Sequence, residues 1–355
     1  MFNRSEFVAD VEVAIATTRT NYAGYPDKVE RFGKATIEQA AQRALRRAAT
    51  VKSQEEGLDI ITKYLQVFQD GHLSVLFKDD KGELHSYHGK KSDAQLKKSS
   101  ANPTTPTPPL NPSVAVISPD AFLVRVPSFD WNFKSKLDAL IQTNDSLIQS
   151  RDILIIDLRG NGGGSDPTYE LLSPYLYSRP VVNIGTSILA TKEVADSWEA
   201  LLAEVPAQMK EAHDSIQAVV RRIRLAPPGS YILGAEDSTN TFPTVLAKPS
   251  RIGIIIDGEC ASTTEQFLLE ARQSSKVVLF GETTAGILDY ANVRTFNLAS
   301  GKVFLGMPTT RSRRLPKDPV DNVGISPNVV IRLLKPAGTP DDSAVKTAVD
   351  YLRNH

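Results

Sequence analysis

The sequence contains a single cysteine, Cys260, among 355 residues. One thiol cannot form an intramolecular disulfide framework or a zinc site built from several thiolates, so both are excluded. The chain also lacks a net charge, because 41 Lys and Arg residues balance 41 Asp and Glu residues. This balance argues against a protein that binds nucleic acid by neutralising phosphates. No apolar run approaches the ~20 residues that a transmembrane helix needs, so we expect no membrane span.

The remaining composition is that of an ordinary globular protein. Hydrophobic residues make up 41% and charged residues 23% of the chain, which excludes general disorder. A length of 355 residues is enough for one large or two modest domains. Glu6, Asp10 and Glu12 interrupt the apolar run that a secretory signal requires. We therefore expect no signal peptide in this chain, which leaves the cytoplasm or a mature secreted or periplasmic form as its location.

The order of the sequence patterns predicts three regions. Residues 1–79 are rich in helix-forming residues and predict a small helical N-terminal unit. Residues 80–113 are rich in lysine and proline and predict a linker or surface loop. In residues 114–355, apolar strands alternate with helices, which predicts an α/β core with a mostly parallel sheet. A charged helical stretch at about 192–225 is expected as an insertion in that core.

The segment Asp157–Ser165 ends an apolar strand with three consecutive glycines. Uncovered backbone N–H groups before a helix attract negative charge. Three interpretations follow: a plain strand-to-helix connection, a dinucleotide-binding turn, or an oxyanion hole that stabilises a transient alkoxide. The dinucleotide site is disfavoured because Ser165 stands where the third glycine of G-x-G-x-x-G belongs and because residues 171–192 contain no acid.

A second strand-to-helix turn carries Ser262. With Glu265 it fits the S-x-x-E pattern of a capping box, which gives Ser262 a structural interpretation as a helix N-cap. The same position gives it a catalytic interpretation, because a serine at such a turn exposes its hydroxyl at the end of the sheet, beside the next backbone N–H. This segment alone leaves both interpretations open.

His72 follows the N-terminal helices and is the third candidate for chemistry. An unperturbed pKa of ~6.5 suits histidine to proton transfer near neutral pH, so His72 is a candidate general base. A purely structural histidine is the alternative. A metal site formed by Glu83, His85 and His88 is a minor alternative, because no further ligand lies nearby in the sequence. We expect no metal and no other cofactor.

Taken together, these segments resemble one known family. ILIIDLRGNGGGS, IIIDGECASTTEQFLLEAR with VVLFGETTAGI, and DNVGISPNVVI occur in the order typical of the tail-specific (C-terminal processing) protease and tricorn-core family of serine peptidases. The resemblance covers about residues 114–335 and the DGH at 70–72. It implies an α/β, crotonase-like core that is related in shape to the Clp protease fold.

The resemblance also assigns roles by position in the family pattern. It implies that Ser262 is the nucleophile. The backbone N–H groups of Thr263 and Gly163 would then form the oxyanion hole. Neighbouring Gly162 and Gly164 are the other choices for the second donor.

One departure from the family pattern concerns the base. Many members use a Ser–Lys dyad, but Ile287 stands where that lysine belongs, and neither Lys276 nor Lys302 lies at the dyad position. The tricorn-like branch instead uses a histidine base and an acid near the C-terminal signature. The resemblance therefore implies that His72 is the base and Asp321 the acid, in a position where that branch usually has Glu.

We therefore expect a serine endopeptidase that cleaves peptides or unfolded protein tails through a Ser262–His72–Asp321 triad. One alternative is a non-catalytic ligand-binding protein on the same fold, which the missing lysine favours and the presence of His72 and Asp321 disfavours. Another is an esterase or other acyl hydrolase, because an oxyanion hole serves any acyl substrate. Only about forty residues separate His72 from the core strand at 114, and a PDZ module needs ~80–100, so no PDZ module is expected.

Overall fold

A computed structural model describes residues 3–87, 89, 111–333 and 342–355. These residues form two compact units. The first unit takes its described residues from the ranges 1–101, 185–236 and 289–317, and the second from 102–184, 237–288 and 318–355. Each unit therefore combines segments that are far apart in the sequence.

The elements are numbered in chain order. The α-helices of the described residues are α1 (Arg4–Asn21), α2 (Tyr25–Phe32), α3 (Lys34–Ala48), α4 (Gln54–Leu65), α5 (Lys134–Gln149), α6 (Ser173–Leu176), α7 (Lys192–Glu199), α8 (Lys210–Leu225), α9 (Thr263–Ala271) and α10 (Ser343–Asn354). The strands are β1 (Ser74–Lys78), β2 (Leu84–Tyr87), β3 (Ser113–Ser118), β4 (Ala121–Arg125), β5 (Ile153–Asp157), β6 (Val181–Asn183), β7 (Thr186–Leu189), β8 (Tyr231–Ala235), β9 (Ser238–Asn240), β10 (Arg251–Ile256), β11 (Val277–Gly281), β12 (Tyr290–Asn297), β13 (Val303–Ser312) and β14 (Val329–Val330). None of these helices is both long enough and apolar enough to cross a bilayer.

Helices α1 to α4 begin the first unit, as the N-terminal sequence predicts. A capping box starts α4, because the Ser53 side chain accepts a hydrogen bond from the Glu56 N–H at 3.2 Å and the Glu56 carboxylate accepts one from the Lys52 N–H at 2.9 Å. Leu58, Ile61 and other apolar residues at helical spacing then face the core of this unit.

An antiparallel sheet completes the first unit. Its strand order is β2-β1-β13-β7-β8, and β12 also pairs with β13. Strands β12 and β13 form a hairpin, which turns where the Leu298 N–H donates to the Val303 carbonyl at 3.0 Å. Strand β1 pairs with β13 in the register Ser74↔Gly306, so this sheet depends on contacts between very distant parts of the sequence.

The second unit contains the predicted parallel sheet. Its strand order is β14-β11-β10-β5-β4-β3, and only the edge strand β3 is antiparallel to its neighbour. Both faces are covered, which explains the continuous apolar sequence of β5. Leu154 and Ile156 pack into one core with residues of α5 and α9, whereas Ile153 and Ile155 pack into another with residues of α10. A small antiparallel pair, β6 and β9, also belongs to this unit.

The α/β class is confirmed, but the structure divides the chain differently from the predicted core over 114–355. The segments 185–236 and 289–317 belong to the same unit as the N-terminal helices, because their strands pair with β1 or with each other. Local patterns cannot reveal such pairing. The insertion predicted at 192–225 forms α7 and α8. Most of the linker predicted at 80–113 lies outside the described residues, and strand β2 within it was not predicted.

Candidate active site

Two turns of the second unit lie next to each other because of the sheet order. The glycine-rich turn follows β5, and the Ser262 turn follows β10. These strands are parallel neighbours with Asp157 opposite Ile255. The two turns therefore leave the sheet at the same end, where the carboxyl ends of the strands lie. Binding and catalytic residues of open parallel sheets gather at this carboxyl-terminal edge.

The glycine-rich turn needs its glycines for steric reasons. Gly163 and Gly164 have φ angles of 102° and 147°, which other residues rarely adopt. A Cβ on Gly164 would lie 2.2 Å from the backbone of Phe129. This close approach allows the Phe129 N–H to donate to the Gly163 carbonyl at 3.0 Å and the Ser165 N–H to donate to the Phe129 carbonyl at 2.9 Å.

The side chain of Asn161 fixes the shape of this turn. It is fully buried. Its Oδ1 accepts hydrogen bonds from the Gly163 N–H at 3.0 Å, the Phe129 N–H at 3.3 Å and the Thr264 hydroxyl at 2.8 Å. Its Nδ2 donates to the Val126 carbonyl at 3.0 Å. Asn161 was not among the predicted site residues. Its signal in the sequence is an Asn inside a glycine run, where it can form an Asx turn to the residue two positions on.

Hydrogen bonds connect the two turns directly. The Ala261 N–H donates to the Asn161 carbonyl at 3.2 Å, and the Thr264 hydroxyl donates to the same oxygen at 2.9 Å. The Thr263 hydroxyl donates to the Gly164 carbonyl at 3.1 Å. Bonds from three residues of the Ser262 turn leave little freedom for one turn to move against the other.

Ser262 has a strained backbone. Its φ of 57° and ψ of −124° fall outside the regions that an L-residue adopts without cost. It is the N-cap of α9, and its N–H donates to the Ile287 carbonyl at 2.9 Å. The carboxylate of Glu265 lies 3.3 Å from the same N–H, as the predicted capping box requires. The capping interpretation therefore holds, and the strain at Ser262 is a feature that capping does not need.

Three backbone N–H groups near Ser262 have no acceptor among the described residues. They belong to Gly162, Gly164 and Thr263. Thr263 is the first residue of α9, where the helix dipole favours negative charge. The Gly163 N–H, in contrast, donates to Asn161.

Asp321 lies in the same unit as Ser262. It is buried, and its Oδ1 accepts a hydrogen bond from the Leu288 N–H at 2.8 Å. The surrounding loop is held by the Asn322 N–H, which donates to the Gly286 carbonyl at 2.9 Å. The structure thus connects Asp321 to the loop that begins beyond β11 and also carries Ile287.

Lys276 does not reach the dyad position. Ile287, which stands there in the sequence, contacts Ser262 through its backbone carbonyl. Lys276 precedes β11 at the end of the sheet where β10 begins, whereas Ser262 follows the end of β10. Five strand residues span about 16 Å, so Lys276 is remote from Ser262. Its Nζ donates to the Leu246 carbonyl at 2.6 Å, and burial lowers the pKa of its ammonium group.

Cys260 is close to Ser262 in the sequence but is suited to packing. It is fully buried, and its thiol donates to the Leu158 carbonyl at 3.2 Å. Burial raises the pKa of this thiol well above its ordinary value, with the nearby Asp257 carboxylate adding to the rise. A thiol that stays protonated is a poor nucleophile.

His72 belongs to the first unit, in the turn between α4 and β1. Its backbone N–H donates to Asp70 Oδ1 at 2.9 Å. The other oxygen of Asp70 accepts a hydrogen bond from the Tyr22 hydroxyl at 2.6 Å. These contacts fix the backbone at His72. The approach of its ring to Ser262 stays a prediction.

Two further features bear on ligands. An open cleft of about 650 Å³ lies between segment 127–133 and the glycine turn.

The ligand atoms of Asp79, Glu83 and His85, in the first unit, lie within 4.8 Å of one another. Two of these three are exposed, and exposed acidic groups commonly cluster without a metal. His88, the remaining residue of the minor metal alternative, lies outside the described residues.

Comparison with known sequences identifies the family. The family model described as Peptidase family S41 matches residues 120–331, which is more than half of the chain. The chain belongs to peptidase family S41. It is therefore a serine peptidase, and the family expected from the motifs is confirmed. No curated protein matches the sequence.

Solved structures agree with this assignment at the level of the fold. Mature CPAF complexed with lactacystin is similar over 99% of this chain and 97% of its own, with 14% identity and a TM-score of 0.61. A putative peptidase from Parabacteroides merdae ATCC 43184 matches over 98% of this chain and 96% of its own, with 13% identity and a TM-score of 0.58. The tricorn protease matches 99% of this chain over 37% of its own length, with 11% identity and a TM-score of 0.55.

Proposed function

We propose that this S41 peptidase is an endopeptidase of peptides or unfolded protein tails, with Ser262 as its nucleophile. The observation that carries the proposal is the strained Ser262 backbone at the N-terminus of α9, against a glycine turn with uncovered N–H groups. Strain of this kind is retained at functional sites, where it aims a side chain.

The proposed reaction is acyl transfer in two steps. The Ser262 Oγ attacks the scissile carbonyl carbon, and His72 accepts the hydroxyl proton. The resulting tetrahedral intermediate collapses, the C–N bond breaks, and His72 gives the proton to the leaving amine. Water then attacks the acyl-enzyme with His72 again as base, which releases the acid and restores Ser262. Asp321 orients the imidazole and stabilises its cationic form.

The oxyanion of both steps needs at least two donors. We assign one to the backbone N–H of Thr263, the first residue of α9. This N–H has no acceptor among the described residues. The second donor comes from the glycine run. Gly163 is the choice that the family resemblance implies, and it can serve once its bond to Asn161 is released. Gly162 and Gly164 have N–H groups that need no such release.

The test replaces Ser262 by Ala and follows turnover of a fluorogenic unstructured peptide, with casein and a short-chain ester assayed in parallel. Ser262→Ala is expected to lower the peptidase rate by several orders of magnitude, as in other serine triads. His72→Ala should match it closely, since triad members act as a unit. Wild-type rates in Ser262→Ala would exclude Ser262 as the nucleophile.

Ser274 provides a matched control, because it lies beyond the C-terminal end of α9, the helix that Ser262 caps at its N-terminus. Ser274 follows α9, is buried, and lies 3.2 Å from the Ser178 hydroxyl. Ser274→Ala should keep activity and should keep labelling by a fluorophosphonate probe, whereas Ser262→Ala should lose both. Cleavage of the ester without cleavage of casein would favour the acyl hydrolase, and a folded protein that neither labels nor cleaves would favour a ligand-binding protein.

A further inference from the structure

Glu265 is a fully buried carboxylate that accepts four hydrogen bonds. Its Oε1 accepts from the Thr284 hydroxyl and from the Gly286 N–H at 2.8 Å. Its Oε2 accepts from the Ile287 N–H at 2.8 Å and from the Ser262 N–H at 3.3 Å. A capping box accounts for only the last of these four bonds.

The three remaining donors lie on a single loop, residues 284–288. The same loop holds Asp321, because the Leu288 N–H donates to Asp321 Oδ1 at 2.8 Å. Thr284 adds a second connection, since its hydroxyl oxygen accepts from the Ile325 N–H at 2.7 Å. One carboxylate thus contacts the backbone of Ser262 on one side and the loop that binds Asp321 on the other.

We propose that Glu265 is a positioning residue that holds Ser262 and Asp321 in fixed relation through loop 284–288. The inference rests on the proposed function, because holding Ser262 and Asp321 in place affects catalysis only if both residues act in one reaction. Glu265 itself touches neither substrate nor reacting atoms in this proposal.

The donor set explains why a carboxylate is needed here. All four neighbouring groups donate, and an ionised carboxylate is a side chain that only accepts. A glutamine of the same size has one accepting oxygen and one donating nitrogen. Whichever way its amide lies, its NH₂ group faces at least one backbone N–H of Gly286 or Ile287, and one bond is replaced by an unfavourable contact.

The experiment therefore begins with Glu265→Gln, assayed for kcat and KM on the fluorogenic peptide. We expect kcat to fall by about 10- to 100-fold, the equivalent in rate of one lost charge-assisted hydrogen bond. KM should change by less than about 3-fold, because no substrate contact is removed. The rate of fluorophosphonate labelling of Ser262 should fall in parallel with kcat.

A matched control separates positioning from general damage to α9. Glu270 lies on the same helix, is half-buried, and accepts hydrogen bonds from the Tyr169 hydroxyl at 2.9 Å and from Gln266 at 3.3 Å. Glu270→Gln should lower the melting temperature without lowering kcat. Equal losses of kcat in both variants, scaling with the loss of stability, would overturn the proposal.

A second variant keeps the test decisive if Glu265→Gln does not fold. Thr284→Val retains the side-chain shape but removes the hydroxyl that connects Glu265 to Ile325. It should lower kcat by about 10-fold with little effect on KM. Its control is Thr168→Val, since Thr168 is fully buried and its hydroxyl has no partner among the described residues. Unchanged kcat in a folded Thr284→Val protein would overturn the proposal.

Failure of this inference is distinguishable from failure of the proposed function. Retained turnover in Ser262→Ala overturns the function and the role of Glu265 together. An inactive Ser262→Ala beside a fully active Glu265→Gln overturns the role of Glu265 alone.

Discussion

A methyl group on the Cα of Gly163 would lie 2.8 Å from the Cβ of Ser262. It would also lie 2.8 Å from the Ala261 carbonyl oxygen. Distances this short between non-bonded heavy atoms do not occur without a shift of the backbone. The glycine turn and the Ser262 turn therefore touch backbone to backbone, with no space for a side chain between them.

We predict that Gly163→Ala will disrupt both stability and catalysis. The φ of 102° is strained for alanine, and the added methyl group must push the Ser262 turn away. Together these effects should lower the free energy of unfolding by about 3 kcal/mol. Urea unfolding and peptide turnover measure the two consequences. Wild-type activity in Gly163→Ala would contradict the close approach.

The control is Gly162→Ala in the adjacent position. A Cβ there meets no atom within 4 Å. The substitution also keeps the backbone N–H, so a donor at this position would be retained. We expect Gly162→Ala to change the free energy of unfolding by no more than about 0.5 kcal/mol.

Asn161→Ala is predicted to open the glycine turn. It leaves the Gly163 N–H without its side-chain acceptor and the Val126 carbonyl without the donor from Asn161, whereas the Phe129 N–H keeps the Gly163 carbonyl. Buried groups that lose their partners cost about 1–3 kcal/mol each, so the loss of two such partners should lower the free energy of unfolding by about 3 kcal/mol. Activity should fall further than stability alone explains, because the turn beside Ser262 loses its fixed shape.

The comparison for this variant is Asn144→Ala. Asn144 lies on α5 and donates to the Leu140 carbonyl at 2.8 Å within the same helix. Loss of this hydrogen bond in Asn144→Ala should lower the free energy of unfolding slightly and leave turnover per folded molecule unchanged. Equal activity per folded molecule in both asparagine variants would show that Asn161 acts only on stability.

The sequence was sufficient to predict the parts of the site that depend on local pattern. The apolar run before Asp157 predicted β5, the following glycines predicted its turn, and S-x-x-E predicted the N-terminus of α9 at Ser262. The strain at Ser262 could not be predicted in this way. It occurs together with the bond from the Ser262 N–H to the Ile287 carbonyl and the close approach of Gly163, and these long-range contacts are set by the order of strands rather than by neighbouring residues.

Other contacts between residues far apart in the sequence were not predicted for the same reason. Glu265 was predicted as half of a capping box, but its bonds to Gly286 and Ile287 depend on a loop twenty residues away. In the first unit, the pairing of β1 with β13 joins residues more than two hundred positions apart. Periodicity identifies each strand and carries no information on its partner.

Cys260 is predicted to be unreactive in the native protein. Burial raises the pKa of its thiol, and no part of the residue is exposed to solvent. A thiol reagent such as DTNB should therefore label no cysteine in the folded protein and one equivalent in 6 M guanidinium chloride. Raising the pH toward 9 should not accelerate native labelling, although an exposed thiol with a pKa of about 8.5 would respond strongly. Rapid native labelling would contradict the burial of Cys260.

The buried acid Asp10 is predicted to make stability depend on pH. Asp10 accepts a hydrogen bond from the Ser300 N–H at 2.7 Å, and burial raises its pKa in the folded state. Above the unfolded value of about 3.9, the folded protein holds this proton more tightly than the unfolded chain, so stability falls as pH rises through the folded pKa. Asp10→Asn should flatten this fall in urea unfolding between pH 4 and 7, whereas Glu12→Gln, exposed on the same helix, should not. Parallel curves for wild type and Asp10→Asn would show that another group causes the dependence.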